Sequence, residues 1–249
     1  MNTAQPEKIT AKDIAKMIDH SLLRPQLTRK EVIEGCRLAK EYDVASVCVK
    51  PCDVQVAAEV LKGSDVLVTT VIGFPHGAHR TDVKVFEAEK AMDDGAVELD
   101  MVINIGRLLS REFDYIEQDI KAVVDIAHQR NVIVKVILEN YYLTDELKEL
   151  ACKICEKAGA DFVKTSTGFA PGGATIEDLK LMRRSVNPTI QVKAAGGVRT
   201  LEGALAVRAV GGVRFGATAT KSIMENAYKS EAAGTLVLPL EPKDLGPSK

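Results

Sequence analysis

The amino-acid sequence predicts an α/β protein: one (β/α)8 TIM-barrel domain with a short N-terminal helix. Eight apolar runs of strand length alternate with longer segments of helical periodicity along nearly the whole chain. The length of 249 residues suits eight such β/α units. A doubly wound open sheet is the alternative, but no glycine-rich G-x-G-x-x-G motif follows the first strand, which favours the barrel. We expect one domain over residues 1–249, with the barrel at about 17–230 and a C-terminal tail at 231–249.

Each element is predicted from its apolar pattern and from the residues that end it. Strands are expected near residues 17–21, 45–49, 67–72, 97–102, 132–138, 162–165, 190–194 and 214–217. Helices are expected at 28–42, 53–61, 80–93, 108–129, 144–158, 176–185 and 201–210, with an eighth after Thr220. Thr28 and Glu31 have the spacing of a capping box. Gly95, Gly159 and Gly211 stand where helices are expected to end.

Composition excludes several function classes. The chain is 46% hydrophobic and 27% charged, which is ordinary for a globular protein, and its net charge of -2 gives no electrostatic footprint for nucleic acid. No apolar run approaches the ~20 residues of a membrane span, and there is no signal-peptide pattern. We therefore expect a cytoplasmic protein with neither nucleic acid nor membrane as a partner. Five cysteines, an odd number, argue against a disulfide framework.

Three of the predicted strands share a register that is set by glycine. The glycine that ends the preceding helix is followed five residues later by Asp100, Lys164 and Gly216 in strands four, six and eight. Because one interior layer of a barrel takes its side chains from alternate strands, these positions are expected to share a layer at the catalytic end. The same parity places Glu98 and Arg214 inside the barrel one layer below. We predict that they form an ion pair, since neither charge tolerates burial alone.

Lys164 and Lys193 are the strongest candidates for chemistry, because each ends an apolar run and opens a loop rich in small residues. A free lysine with a pKa near 10.4 is neutral about once in 2,500 molecules at pH 7, whereas a pKa lower by about three units leaves about a quarter neutral. A second ammonium and burial together supply such a decrease, and the neutral amine is a nucleophile. Asp100 is expected to move protons without holding Lys164 charged. Lys135, in the middle of strand five, is either a site lysine or part of a structural ion pair.

The loops after strands six to eight supply the other half of the candidate site. Their backbone amides can approach a ligand closely, and TIM barrels often bind phosphate after strands seven and eight. The candidate phosphate-binding residues are Gly168, Gly196, Gly197, Arg199, Gly216 and Thr218. In combination with the lysines, they indicate a substrate with a phosphate at one end and a carbonyl at the other. Structural readings stay open: a salt bridge for Lys164, anion binding for Lys193 and loop orientation for Asp100.

Several motifs, in the right order over residues 18–220, resemble the 2-deoxy-D-ribose-5-phosphate aldolase family. The matching segments are DHSLLRP at 19–25, VCVKP at 47–51, IGFPHG at 72–77, GAVELD at 95–100, and the stretches 161–169 and 193–199. The resemblance implies a class I aldolase without metal or cofactor. It also implies a small phosphorylated sugar substrate, with deoxyribose 5-phosphate interconverted with glyceraldehyde 3-phosphate and acetaldehyde. We further expect a homo-oligomer, either a dimer or a tetramer.

Residue roles also follow from the resemblance. It implies Lys164 as the Schiff-base lysine, Lys193 as the cation that lowers its pKa, and Asp100 as the group that transfers protons with a water. Lys135 also matches a lysine position of the family's site. Thr218 and Ala219 stand where members commonly carry serines, so one phosphate hydroxyl is missing.

Other departures are Asn140 and the Ala170-Pro171 pair, and the polar tail at 241–249, which we expect to be mobile, lacks the terminal tyrosine of some members. Three alternatives remain open at this point. They are a class I aldolase for a related phosphorylated sugar, a non-catalytic barrel that binds a phosphometabolite, and a metal-dependent aldolase.

Overall fold

The computed structural model describes residues 7–246 and contains a closed barrel of eight parallel strands, each paired with its sequence neighbours. The strands are β1 (Ile18–Leu22), β2 (Ser46–Val49), β3 (Leu67–Ile72), β4 (Glu98–Val102), β5 (Ile133–Ile137), β6 (Phe162–Lys164), β7 (Gln191–Ala195) and β8 (Arg214–Ala217). The helices are α1 (Ala11–Ala15), α2 (Arg29–Glu41), α3 (Val54–Leu61), α4 (Thr81–Asp93), α5 (Ile105–Leu109), α6 (Phe113–His128), α7 (Asp145–Lys157), α8 (Ile176–Ser185), α9 (Leu201–Ala209) and α10 (Thr220–Ala232). The predicted TIM barrel and its short N-terminal helix are confirmed.

The barrel strands are buried on both faces, which explains why they read as nearly continuous apolar runs. In β5 the central residue Lys135 is fully buried among branched aliphatic neighbours. A charged side chain in such a strand needs a partner inside the barrel. The polar residues of the strands therefore mark the interior site.

The predicted helix signals are confirmed. Thr28 and Glu31 form a capping box at the start of α2, in which each side chain bonds the other residue's backbone amide. Gly95, Gly159 and Gly211 have φ angles of 108°, 85° and 88° shortly after α4, α7 and α9. Glycine adopts these left-handed conformations without steric cost, so the chain can leave each helix and enter the next strand.

The prediction of one helix over residues 108–129 is wrong, because the segment contains two helices, α5 and α6. Asn104 caps α5 by accepting a hydrogen bond from the Arg107 amide at 3.2 Å. The break lies near Arg111, whose φ of 58° does not fit a right-handed helix. Its guanidinium forms two-pronged contacts with Glu146 on α7, at 2.9–3.0 Å. The other boundaries differ by a few residues: β1 begins one residue later than predicted, and a 3-10 turn at Pro51–Asp53 precedes α3.

The C-terminal segment is more structured than predicted. Helix α10 continues to Ala232, and Leu236 beyond it is buried. Val237 forms an antiparallel bridge with Lys8, which joins the two ends of the described chain. Leu245 packs against the core next to Gly197. Residues 247–249 lie outside the described part, and the mobility of 241–249 stays a prediction.

A buried ion pair joins α4 to α6. The Lys84 ammonium lies 2.6 Å from the Asp119 carboxylate and donates to the Val102 carbonyl at 2.9 Å. Both charged side chains are fully buried, and the Thr81 hydroxyl donates to the other Asp119 oxygen at 2.7 Å. Because each charge compensates the other away from water, the loss of one leaves the other uncompensated.

Replacing Lys84 with Met should lower the free energy of unfolding by about 3–5 kcal/mol, since Asp119 then remains buried without its counter-ion. For a domain of this size, the melting temperature should decrease by about 6–20 °C, measurable by calorimetry or circular dichroism. The matched control is Lys90→Met on the same helix, where the exposed pair with Asp93 contributes about 1 kcal/mol or less. A Lys84→Met protein with the same melting temperature as the native protein would contradict this role.

No helix within residues 7–246 combines the length and the apolar character needed to span a membrane.

Candidate active site

A cavity of about 550 Å³ opens at the carboxyl ends of the strands, where the loops after β1, β6, β7 and β8 meet. Lys164 and Lys193 line its base. All six predicted phosphate residues also line it: Gly168, Gly196, Gly197, Arg199, Gly216 and Thr218. The two halves of the predicted site therefore belong to one cavity. Phosphate binding by the second half stays a prediction.

Lys164 and Lys193 meet at a single carboxylate oxygen. The strands β6 and β7 pair in register with Lys164 opposite Lys193, and both side chains are almost fully buried. The Oδ2 atom of Asp100 accepts hydrogen bonds from Lys164 Nζ at 2.7 Å and from Lys193 Nζ at 2.6 Å. The predicted close approach of the two lysines is confirmed by this shared acceptor.

Asp100 and Lys164 are in direct hydrogen-bond contact, and the expectation that Asp100 does not hold Lys164 charged stays a prediction. Burial nevertheless lowers the pKa of Lys164, and although Asp100 opposes this change, Lys193 adds to it. For Asp100, burial favours the neutral acid, but the surrounding lysines outweigh it and hold the pKa well below the ordinary value. Asp100 is therefore an anion that organises the base of the cavity.

Lys135 lies deeper in the barrel, and the sequence left open whether it is a site lysine or part of a structural ion pair. Its Nζ contacts Glu98 Oε2 at 2.6 Å and Asp100 Oδ1 at 3.0 Å. Lys135 is therefore both a member of a buried ion network and a direct contact of the carboxylate that holds Lys164. Lys135 is not among the described residues that line the cavity.

The predicted ion pair inside the barrel is confirmed. Arg214 Nη2 lies 2.9 Å from Glu98 Oε2, and Nη1 lies 3.2 Å from Oε1. This two-pronged geometry matches the guanidinium fork to the carboxylate. Glu98 also contacts Lys135, so the pair extends the network upward to Asp100.

Asp19 on β1 is a central residue of the network that sequence reasoning did not assign. It is fully buried, contacts the Lys193 ammonium, and accepts from Arg214 Nε at 2.8 Å and from the Ser46 hydroxyl at 2.8 Å. The available signal was an acidic residue inside an apolar strand, in the segment 19–25. Ser21 and Arg24 of that segment line the cavity as well, and they too were not predicted.

The network carries one surplus positive charge when every member is ionised. Among residues 7–246, its ion pairs join three carboxylates, Asp19, Glu98 and Asp100, to four cations, Lys135, Lys164, Lys193 and Arg214. Surplus buried charge is unfavourable, and the loss of one proton from a lysine makes the cluster neutral.

The three lysines of the network differ in how many carboxylates they contact. Within residues 7–246, Lys164 contacts one carboxylate, Lys193 contacts two, and Lys135 contacts three. Burial favours neutral Lys193, but Asp100 and Asp19 outweigh it and raise its pKa above the ordinary value. Lys164 is the least compensated of the three lysines and lines the cavity, which makes it the candidate nucleophile.

Cys48 also lines the cavity, and burial raises the pKa of its thiol to about 11. At neutral pH the thiol is thus almost entirely protonated, and the thiolate is the reactive form. The raised pKa of Cys48 and the lowered pKa of Lys164 leave the lysine as the candidate nucleophile of this cavity.

A TIM barrel whose catalytic end combines a buried lysine of lowered pKa, a second charged lysine and a shared carboxylate is typical of lyases that form a Schiff base with a carbonyl substrate. The family profile of the DeoC/LacD aldolases matches residues 14–226, and the chain belongs to this family.

Relatives and solved structures agree with this assignment. The deoxyribose-phosphate aldolase of Clostridium perfringens strain SM101 is 54% identical over 212 residues, which cover 85% of this chain and 94% of the relative. That of Thermococcus gammatolerans is 53% identical over 221 residues, covering 88% and 98%. The structure of the aldolase QR15 superposes with a TM-score of 0.84 at 40% identity, covering 89% of this chain and 98% of QR15. The deoxyribose phosphate aldolase of Aeropyrum pernix, described as a unique tetramer, superposes with a TM-score of 0.82 at 30% identity, covering 89% and 93%.

Proposed function

We propose that this protein is a class I aldolase that reversibly cleaves 2-deoxy-D-ribose 5-phosphate to D-glyceraldehyde 3-phosphate and acetaldehyde. The observation that carries the proposal is Lys164, a buried lysine of lowered pKa at the base of a cavity that is large enough for a five-carbon sugar phosphate. Relatives that are more than half identical are named for this activity.

The chemistry begins when neutral Lys164 Nζ attacks the aldehyde carbon C1 of the open-chain sugar. Loss of water from the carbinolamine gives a protonated imine. Removal of the proton from the C3 hydroxyl then breaks the C2–C3 bond, whose electron pair forms the C1–C2 double bond of an enamine while the C=N π pair moves to the nitrogen. Glyceraldehyde 3-phosphate leaves, C2 of the enamine takes up a proton, and water releases acetaldehyde and regenerates Lys164.

Two neighbouring groups serve these steps. Asp100 is within hydrogen-bond distance of Lys164 Nζ, so it can pass protons to and from the reacting groups through a water. Lys193, whose pKa is raised, stays charged throughout and keeps Lys164 from regaining its proton. We assign phosphate binding to the glycine amides, Arg199 and the Thr218 hydroxyl, because these residues line the cavity.

Borohydride reduction in the presence of acetaldehyde tests this function. We expect one two-carbon adduct, located at Lys164 by peptide mass spectrometry, because reduction fixes the imine. The protein with Lys164→Arg is the matched control and should carry no such adduct. Modification confined to exposed lysines such as Lys157 would contradict the proposed mechanism.

Substrate comparisons separate the remaining alternatives. Relative kcat/KM across phosphorylated sugars distinguishes deoxyribose 5-phosphate from a related substrate, and a single-turnover assay distinguishes an enzyme from a barrel that only binds. Among residues 7–246, no group of three or more His, Cys, Asp or Glu side chains could hold a metal ion. Independence from metal stays a prediction, and activity that survives a strong chelator supports it.

We also propose that the protein is cytoplasmic, that residues 1–249 form one unit, and that it assembles as a dimer or tetramer. The tetrameric relative from Aeropyrum pernix supports an oligomer without fixing its size here. Sedimentation analysis of the full chain determines the size.

A further inference from the structure

Glu139 is a buried carboxylate that the proposed chemistry does not use. It follows β5, is 2% exposed, and has φ 56° and ψ 63°. A residue with a side chain is uncommon in this left-handed region, and such conformations persist where the surroundings hold them. Burial raises the pKa of Glu139, and hydrogen bonds from Thr167 and the charge of Lys164 oppose this increase.

The carboxylate of Glu139 binds one loop on the cavity wall. It accepts from the Thr167 amide at 3.2 Å and from the Thr167 hydroxyl, and this hydroxyl in turn accepts from the Phe169 amide at 3.0 Å. Three donors of the loop after β6 are therefore ordered by one side chain, directly or through Thr167.

The backbone around Glu139 is joined to the same loop on both sides. The Leu138 amide donates to the Lys164 carbonyl and the Asn140 amide donates to the Thr165 carbonyl, both at 2.9 Å. Backbone hydrogen bonds therefore join the residues on either side of Glu139 to the chain after β6. The Glu139 side chain adds hydrogen bonds to Thr167, two residues beyond Thr165.

The loop held in this way carries Gly168 between Thr167 and Phe169, and all three line the cavity. Gly168 has a φ of 85° with open space where a side chain would stand, so its backbone is accessible to a ligand. Because Lys164 lies only four residues earlier, the position of Thr167 sets the distance between the nucleophile and this end of the cavity.

We propose that Glu139 is a positioning residue for the substrate phosphate: through Thr167 it holds the Gly168 amide where the phosphate binds relative to Lys164. The inference rests on the proposed function and deepens it. Glu139 acts through the loop and not as a proton carrier, because its oxygens are engaged by the Thr167 donors.

The experiment compares kcat/KM for deoxyribose 5-phosphate with kcat/KM for deoxyribose, in native protein and in Glu139→Gln. We expect the ratio of the two values to fall at least about tenfold in the variant, mainly through KM of the phosphorylated sugar, because a hydrogen bond to a charged group is lost. Glu146→Gln, an exposed glutamate on α7, is the matched control and should keep the native ratio. Glu139→Gly preserves the left-handed backbone while deleting the carboxylate, so it tests the same ratio if Gln impairs folding.

Thr167→Val should lower the ratio as Glu139→Gln does, whereas Thr167→Ser, which keeps the hydroxyl, should restore most of it. An unchanged ratio in both Glu139 variants overturns the proposal, even if both kcat/KM values fall together. If native protein cleaves neither sugar, the proposed function fails. The positioning role of Glu139 is then tested separately, by calorimetric binding of inorganic phosphate to the native protein and to Glu139→Gln. Binding about tenfold weaker in Glu139→Gln supports the positioning role, and equal or absent binding in the two proteins overturns it.

Discussion

Replacing Lys164 with Arg should lower kcat by about 10⁴-fold or more and abolish the borohydride-trapped adduct, since the reaction depends on a neutral amine. Arginine preserves the positive charge and can still donate to Asp100, but its guanidinium does not deprotonate in proteins and forms no imine. The substitution therefore removes the nucleophile and fixes a positive charge where Lys164 becomes neutral, while it keeps a donor to Asp100. Steady-state cleavage of deoxyribose 5-phosphate measures the loss, and single-turnover trapping with acetaldehyde measures the adduct.

The matched control is Lys157→Arg, an exposed lysine on α7 that pairs with Glu117. It should retain the native kcat, because its ammonium lies outside the cavity. A Lys164→Arg protein with more than a tenth of the native kcat would show that another amine forms the imine. Mapping the trapped adduct in that variant would then identify the residue.

The interior layers of the barrel were accessible from the sequence because strand periodicity and helix stops fix the register together. Glycine ends the helices before β4, β6 and β8, and a count of five residues from each reaches Asp100, Lys164 and Gly216. Side chains alternate strictly along a strand, so this count also placed Glu98 and Arg214 inside. Their ion pair is confirmed although 116 residues separate them.

Other features depend on contacts that no local pattern contains. Asp19 pairs with Arg214, which lies 195 residues later in the chain. No glycine that ends a helix sets the register of β1. The helix break at Arg111 is hidden because apolar residues continue on both sides of it. Glu139 follows β5, and its left-handed backbone and its contact with Thr167 arise from tertiary packing. The sequence thus indicated which residues meet at the cavity, whereas the partners of each charge required the fold.

Replacing Lys193 with Met should shift the pH at which Lys164 is half neutral upward. In the native protein, burial and the Lys193 charge lower the Lys164 pKa, so the neutral fraction increases at a lower pH than in an ordinary lysine. Loss of Lys193 removes a repelling cation and leaves the Asp100 carboxylate to stabilise the Lys164 ammonium alone. Both effects raise the pKa. Each unit of increase lowers the neutral fraction about tenfold at any pH well below the pKa.

The rate of borohydride trapping with acetaldehyde, measured across pH, reports this midpoint directly. Lys193→Arg is the matched control, because it keeps a charge beside Asp100 and should keep the midpoint closer to the native value than Lys193→Met does. Asp19 does not become an unpaired buried anion in either variant, since Arg214 still contacts it. A midpoint that stays in place or moves downward in Lys193→Met would contradict the electrostatic role, and burial would then be the dominant cause of the lowered Lys164 pKa. An upward shift in Met but not in Arg assigns the effect to the charge of Lys193, because both variants remove the same amine.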